Sequence, residues 1–282
     1  MPAKLPEPEA ILTLRELNRA ALARQMLLKR EEVGVVEAIE RLAGMQAQYS
    51  PSPYIGLWTR LKGFQIEELV TAILDKMVVK ASLMRWTLHL ASSRDYPYFT
   101  VAVGDALVAM SRKEADEAGQ HIPTLHKALL EYATEPRLFA QLVDFANGVA
   151  GDPPRRHMHL AWRWAHAPGW LVHVPPSGIW RYFGSNSYMS AHEWLGSMQE
   201  PMVEEAITYL VRRYLAAYGP STVADIVQWA GLRSVGRATS ALADLADEIV
   251  VFRNEDGKLL YDLRDAPRPG ADVPAPIRYL PK

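Results

Sequence analysis

Apolar positions recur at helical spacing in separate stretches of the chain. In TLRELNRAALARQMLLKR, residues 13–30, Leu14, Leu17, Ala21 and Leu28 fall on one helical face. Thr13 followed by Glu16 fits a capping box, which sets the expected start. A second helix is expected over about 33–44, VGVVEAIERLAG, with Gly44 as its stop. Pro51 and Pro53 in MQAQYSPSPYIG argue against a regular helix there. IEELVTAILDKM, 66–77, returns to amphipathic spacing. VVKASLMRWTLHLAS, 78–92, is rich in Val, Leu, Trp and Thr and predicts one or two strands. Helices followed by a short β ribbon make a winged-helix order.

The last third repeats that order. PMVEEAITYLVRRYLAAYG, 201–219, puts Val203, Ala206, Ile207, Leu210, Tyr214 and Leu215 on one face. STVADIVQWAGL and SVGRATSALADLAD predict two further helices, the second in the position of a recognition helix. EIVVFRNEDGKLLYDL alternates around Asp256-Gly257, a hairpin signal. Between these regions, helices are expected at about 94–118, 124–132 and 136–147. WLVHVPPSGIWRYFG then predicts a strand, a turn and a second strand. The expected fold is mainly α with short β wings, a tandem array of three winged-helix domains at 10–95, 96–198 and 199–266. The Pro- and Asp-rich 267–282 is expected to be a linker or truncated tail.

Composition narrows the chemistry. The 282 residues contain no cysteine, which removes disulfides, thiolate metal sites and Cys nucleophiles. No apolar run reaches the ~18 residues of a membrane span, and MPAKLPEPEA has no signal-peptide pattern. A cytoplasmic monomer is expected, nucleoid-associated if bacterial. Net charge is −1, and by thirds it runs +2, −2 and −1, so no bulk basic excess marks a nucleic-acid binder. Arg15, Arg19, Arg24, Lys29 and Arg30 nevertheless form a basic run, either a phosphate track or a solvated helix face. Arg233 and Arg237 flank the recognition-helix position, whose small and acidic residues suit protein packing better than a major groove.

Candidate chemistry is sparse. No phosphate-binding loop, dinucleotide fingerprint or G-x-S-x-G elbow is present. His157, His159 and His166 invite a metal reading, but no H-E-x-x-H spacing occurs and the flanking Trp residues favour packing. No metal or organic cofactor is expected. Gln46-Ala47-Gln48 is more informative. In an extended stretch, residues two apart point the same way, so both carboxamides would face one cleft. Arg85, Thr87 and His89 would similarly share a strand face, either the lining of a nucleic-acid channel or a plain polar face.

The chain resembles the AlkZ/YcaQ-type tandem winged-helix DNA glycosylases over about residues 10–282. The resemblance is carried by LNRAALARQMLL (17–28), GMQAQYSPSPYIGLWTRL (44–61), LMRWTLHL (83–90), VPPSGIW (174–180) and YLAAYGPSTVADIVQWAGL (214–232). Its most specific part is the Gln-x-Gln block. The resemblance implies excision of bulky N-alkylated purines from double-stranded DNA and unhooking of interstrand crosslinks. It implies that Gln46 and Gln48 occupy the positions of the family's catalytic glutamines; other branches carry Asp at the second. It also implies a C-terminal β-rich element beyond APIRYLPK, where this chain stops. A non-catalytic winged-helix DNA-binding protein or regulator is the alternative, which needs a basic recognition helix and a dimer interface.

Overall fold

The computed structural model describes residues 5–151 and 159–280. The molecule is mainly helical with small sheets. The chain begins with β1 (Pro8–Leu12) and α1 (Leu14–Arg24). The Thr13–Glu16 capping box forms, but the helix is shorter than its apolar spacing predicts. Met26 takes a left-handed backbone conformation, φ 55°, and turns the chain away. α2 (Val35–Arg41) follows, then Gly44 at φ 89°. A side chain there would meet the Leu90 carbonyl oxygen at 3.1 Å, so glycine permits both the reversal and the close approach. The reversal leads into β2 (Met45–Gln46).

Contrary to expectation, α3 (Pro51–Arg60) is a helix. Its prolines sit in the first turn, where backbone N–H groups have no intrahelical acceptor to lose. α4 (Ile66–Leu74), β3 (Val78–Ser82) and β4 (Leu88–Ser92) complete the first part. A 3₁₀ turn, Met84–Trp86, separates the two strands.

The central part comprises α5 (Tyr96–Glu117), α6 (Ile122–Tyr132), β5 (Arg137–Leu138) and α7 (Phe139–Val149), then α8 (Leu160–His166) and β6 (Leu171–Val174). The second strand expected within 171–184 is absent. Pro175 and Pro176 have no N–H for a ladder, and Trp180 packs on Tyr54 of α3, with ring centroids 5.1 Å apart. The strand that pairs with β6 is instead β7 (Ser187–Ser190), followed by α9 (Ala191–Leu195).

The final part has the expected order: α10 (Val203–Tyr218), α11 (Val223–Ala230), α12 (Val235–Asp244), then the hairpin β8 (Ile249–Asn254) and β9 (Leu259–Leu263). Gly257, at φ 79°, makes the turn.

Long-range pairing ties the parts together. A six-stranded sheet runs β2-β4-β3-β6-β7-β5, so strands from 10–95 and 96–198 share one ladder. Lys80 of β3 faces His173 of β6 across it. A three-stranded sheet, β1-β8-β9, joins the N-terminal strand in parallel to the last hairpin. The largest apolar core runs from β3 through Tyr96 and Phe99 of α5 to Ile207, Leu210 and Leu242. A separate core of Ile39, Leu57, Leu69 and Ile73 holds the first helices behind β2.

Residues 267–280 have no regular helix or strand, yet they pack along α1. Arg15 Nε donates to the Ala271 oxygen at 2.9 Å, and Arg19 Nε to that of Val273. In return Arg278 Nε donates to the Leu27 oxygen at 3.0 Å, and Thr59 Oγ1 to the Tyr279 oxygen. Three arginines of the basic run, Arg15, Arg19 and Arg24, thus hold the chain's own carbonyls, whereas Lys29, beyond α1, is exposed.

Candidate active site

The Gln-x-Gln block leaves the helical part of the chain at Gly44 and pairs antiparallel with β4, Met45 opposite Leu90 and Gln46 opposite His89. The Ala47 N–H continues the pairing to the Leu88 oxygen at 2.7 Å. Alternation in this extended stretch buries Met45 and Ala47 and exposes Gln46 and Gln48 on the other side. Gln48 Oε1 accepts a long hydrogen bond, 3.4 Å, from the Leu88 N–H, which leaves its amide group two donors for the cleft.

The cleft below these amides has a volume of about 290 Å³. Gln46, Gln48 and Tyr49 line it together with Gln25, Arg60 and Tyr218. Leu280, at the end of the wrapped tail, also reaches it. Besides the Gln46–Tyr49 stretch, α1, α3, α10 and the tail thus each contribute to the lining. Gln25 ends α1 and donates from Nε2 to the Ala217 oxygen at 2.9 Å. Arg60 ends α3; its Nε donates to the Gln25 oxygen at 3.0 Å and its Nη1 to the Gly56 oxygen at 2.9 Å.

Among the described lining residues there is no carboxylate and no imidazole. Burial lowers the Arg60 pKa from its ordinary value. Burial raises the Tyr218 phenol, while the Arg60 and Arg85 charges pull it back down. The cleft therefore has amides, one buried arginine and a neutral phenol. It is suited to hold water and an anionic backbone, not to abstract a proton at neutral pH.

The expected DNA contacts separate. Arg24 is corrected: it is 5% exposed and forms a bidentate pair with Asp262 at 2.6 and 2.7 Å. A guanidinium whose donors are spent on a buried carboxylate has none for a phosphate. His89 is also corrected. It stands opposite Gln46 but is 4% exposed, and its Nδ1 lies 2.9 Å from the Thr87 oxygen. A carbonyl only accepts, so Nδ1 carries the proton. Burial, followed by the Arg85 charge, holds this imidazole down at about 4, so it is neutral at pH 7.

Nor do Arg85, Thr87 and His89 share one strand face. Arg85 lies in the 3₁₀ turn at φ 54°, and only β4, from Leu88, is strand. Its side chain is exposed and donates to the Trp229 oxygen of α11. Thr87 Oγ1 donates to the Met84 oxygen at 3.0 Å.

The remaining candidates are packing groups or lie elsewhere. His166 stacks on Trp162 with centroids 4.7 Å apart, and His159 stacks on Phe139 at 6.1 Å. His157 lies outside the described residues. Among those described, no three His, Asp or Glu side chains converge as a metal site. Arg237 is paired with Asp105 and Glu204.

Sequence reasoning missed Arg60, Tyr218 and Gln25 as cleft residues. All three fall inside the blocks that carry the family resemblance, which is the available signal. No helix of the described residues is long and apolar enough to cross a membrane.

Comparison with known proteins bears on the family and the fold. The family model described as "DNA glycosylase AlkZ-like" matches residues 39–282. A curated relative from Streptomyces sahachiroi, named an interstrand DNA cross-link repair glycosylase, is 25% identical over 278 residues, covering 92% of this chain and 72% of its own length. The solved structure of Streptomyces sahachiroi DNA glycosylase AlkZ matches with a TM-score of 0.75 at 19% identity, over 90% of this chain and 71% of that one. At that identity the structural match speaks for the fold, whereas the family model spans most of the sequence. The chain belongs to the AlkZ-like DNA glycosylase family.

Proposed function

We propose that the protein hydrolyses the N-glycosidic bond of bulky N-alkylated purines in double-stranded DNA, including purines tied into interstrand crosslinks. Gln46 and Gln48 are the amides at the reacting centre, and the acting form is a cytoplasmic monomer. The observation that carries this reading is their shared exposure at a cleft that Arg60 also lines, with no carboxylate or imidazole in its described lining. The crosslink part is supported by the name of the curated relative.

The chemistry follows from the substrate. A purine alkylated at N7 is cationic, so its glycosidic bond is weak and it departs as a neutral base. Strong acid catalysis is unnecessary. A neutral amide is a poor base at pH 7, but it donates and accepts and so holds a water in place. Its carbonyl dipole also faces the positive charge that develops on the sugar. Gln48 is assigned the principal hold on the water and Gln46 the second contact. An open cleft suits a crosslinked base, which cannot swing out of the duplex as an ordinary flipped nucleotide does. Arg85, exposed in the turn before β4, is the cation offered to backbone phosphate. We read the helix-and-ribbon segments as three winged-helix units, with DNA across the side that carries the glutamines.

The test is base excision from a duplex carrying one N7-alkylguanine, read as alkali-sensitive breaks above spontaneous depurination. Excess breaks are expected, reduced on the order of a hundredfold by Gln46→Ala or Gln48→Ala. Binding to the duplex with no excess breaks sinks the proposal and favours the non-catalytic DNA-binding alternative.

A further inference from the structure

Two large aromatic side chains stand open to solvent beside the amide cleft. Tyr49, the residue after Gln48, is 57% exposed and lines the cleft. Phe183 is 68% exposed and comes from the connection between β6 and β7. Their rings stack, with centroids 6.1 Å apart and planes at 29°.

This pairing is fixed rather than incidental. The connection is fastened before Phe183 by Trp180 on Tyr54 and by the Tyr54 hydroxyl, which donates to the Gly178 oxygen at 3.1 Å. It is fastened after Phe183 by the Tyr182 hydroxyl, which donates to the Ser185 oxygen at 2.8 Å. Tyr49 is fixed by the strand pairing that ends at Ala47 and by α3 beyond it. The fold therefore holds two apolar faces in water where folding alone gains nothing from them. Trp58, an open aromatic of α3, is covered by the Arg30 guanidinium at 4.8 Å, and neither it nor the exposed Tyr279 is part of the cleft lining.

We propose that Tyr49 and Phe183 form a stacking platform for the planar, apolar substituent of an alkylated purine. The platform sets a preference for aryl-bearing over methyl lesions. The inference rests on the glycosylase reading of the Gln46–Gln48 cleft. A nucleotide whose sugar is within reach of these amides has its base and substituent at the cleft mouth, and Tyr49 is the first surface they meet. A flat substituent gains by stacking on an aromatic face, and a methyl group has too little area to do so. An outside platform also serves a purine anchored to the opposite strand, because it supports without enclosing.

The test uses duplexes containing 7-deazaguanine with either a methyl or a benzyl group at C7. These keep the adduct's shape, lack the cationic N7 and are not excised. Titration of the full chain against both, read by fluorescence anisotropy, gives a benzyl-over-methyl affinity ratio. A ratio of about ten is expected, the size of one aromatic stack. It falls to near one in Phe183→Ala and Tyr49→Ala and returns in Phe183→Trp, with thermal unfolding of the Phe183 variants unchanged. A wild-type ratio near one, or a ratio that survives both alanine substitutions, overturns the inference. Excision of N7-methylguanine by the same wild-type preparation reports separately on the glycosylase reading, so the two failures are told apart.

Discussion

Single residues in this protein owe their chemistry to how completely they are removed from water. Gln46 and Gln48 stay in solvent because alternation turns Met45 and Ala47 inward. His89, opposite Gln46, is removed from water and held neutral, as is His166, whose pKa burial brings down to about 4 with a smaller push from His126. His126 and His173 are shifted in the same direction, first by burial. The sign of the consequence is fixed. Unfolded imidazoles titrate near 6.5, so between there and about 4 the unfolded chain binds protons that the native chain does not. Stability is complete above pH 6.5 and declines as the pH falls through this window. Urea midpoints measured from pH 7.5 to 4.5 are expected to hold level down to about pH 6.5 and then fall, with a shallower slope in His166→Phe, which keeps the stack on Trp162. A midpoint independent of pH would contradict the burial of these rings.

At the scale of elements, one buried charge cluster holds three parts of the molecule in register. Asp262 of β9 is wholly buried and receives Arg24 of α1 in bidentate form and Arg268 at 2.7 Å. Arg24 Nη1 also donates to the Leu215 oxygen of α10 at 2.8 Å. Sequence pattern placed Arg24 on a helix with other cations, and its neighbours along the chain favoured solvent. Its real partner lies in the last strand, a distance no periodicity reports. A buried pair is a weak net source of stability, but breaking one side leaves a charge stranded. Asp262→Ala is therefore expected to lower unfolding free energy by about 3–5 kcal/mol in urea melts. A loss under 1 kcal/mol would mean that water reaches Arg24. The same contact explains how Gln25, the next residue, comes to lie against the cleft.

For the molecule as a whole, the parts read from the sequence are not separate pieces. β3 pairs with β6, and β1 pairs with β8, so residues 10–95 give edges to both later parts. Removing those partners exposes unpaired strand edges and apolar surface at once. Residues 10–95 expressed alone are expected to lack a cooperative thermal transition and dispersed amide resonances. A folded fragment would show that the shared ladders are dispensable. The cleft makes the same point, since its lining draws on the ends of α1, α3 and α10 and on the tail.

Local rules decided much of this protein. Amphipathic spacing fixed most helices, a capping box started α1, Asp256-Gly257 turned the last hairpin, and period-two alternation put Gln46 and Gln48 on one side. Each depends on neighbours within a turn or two of chain, so the sequence states it directly. Where competing local rules met, reading failed: proline rules argued against α3, although its first turn tolerates them. Tertiary structure alone decided which cations are spent inside the protein, which strands share a ladder, and that Phe183 stands against Tyr49. Those outcomes turn on desolvation and on pairing between distant segments, which are properties of the folded chain and not of any window along it.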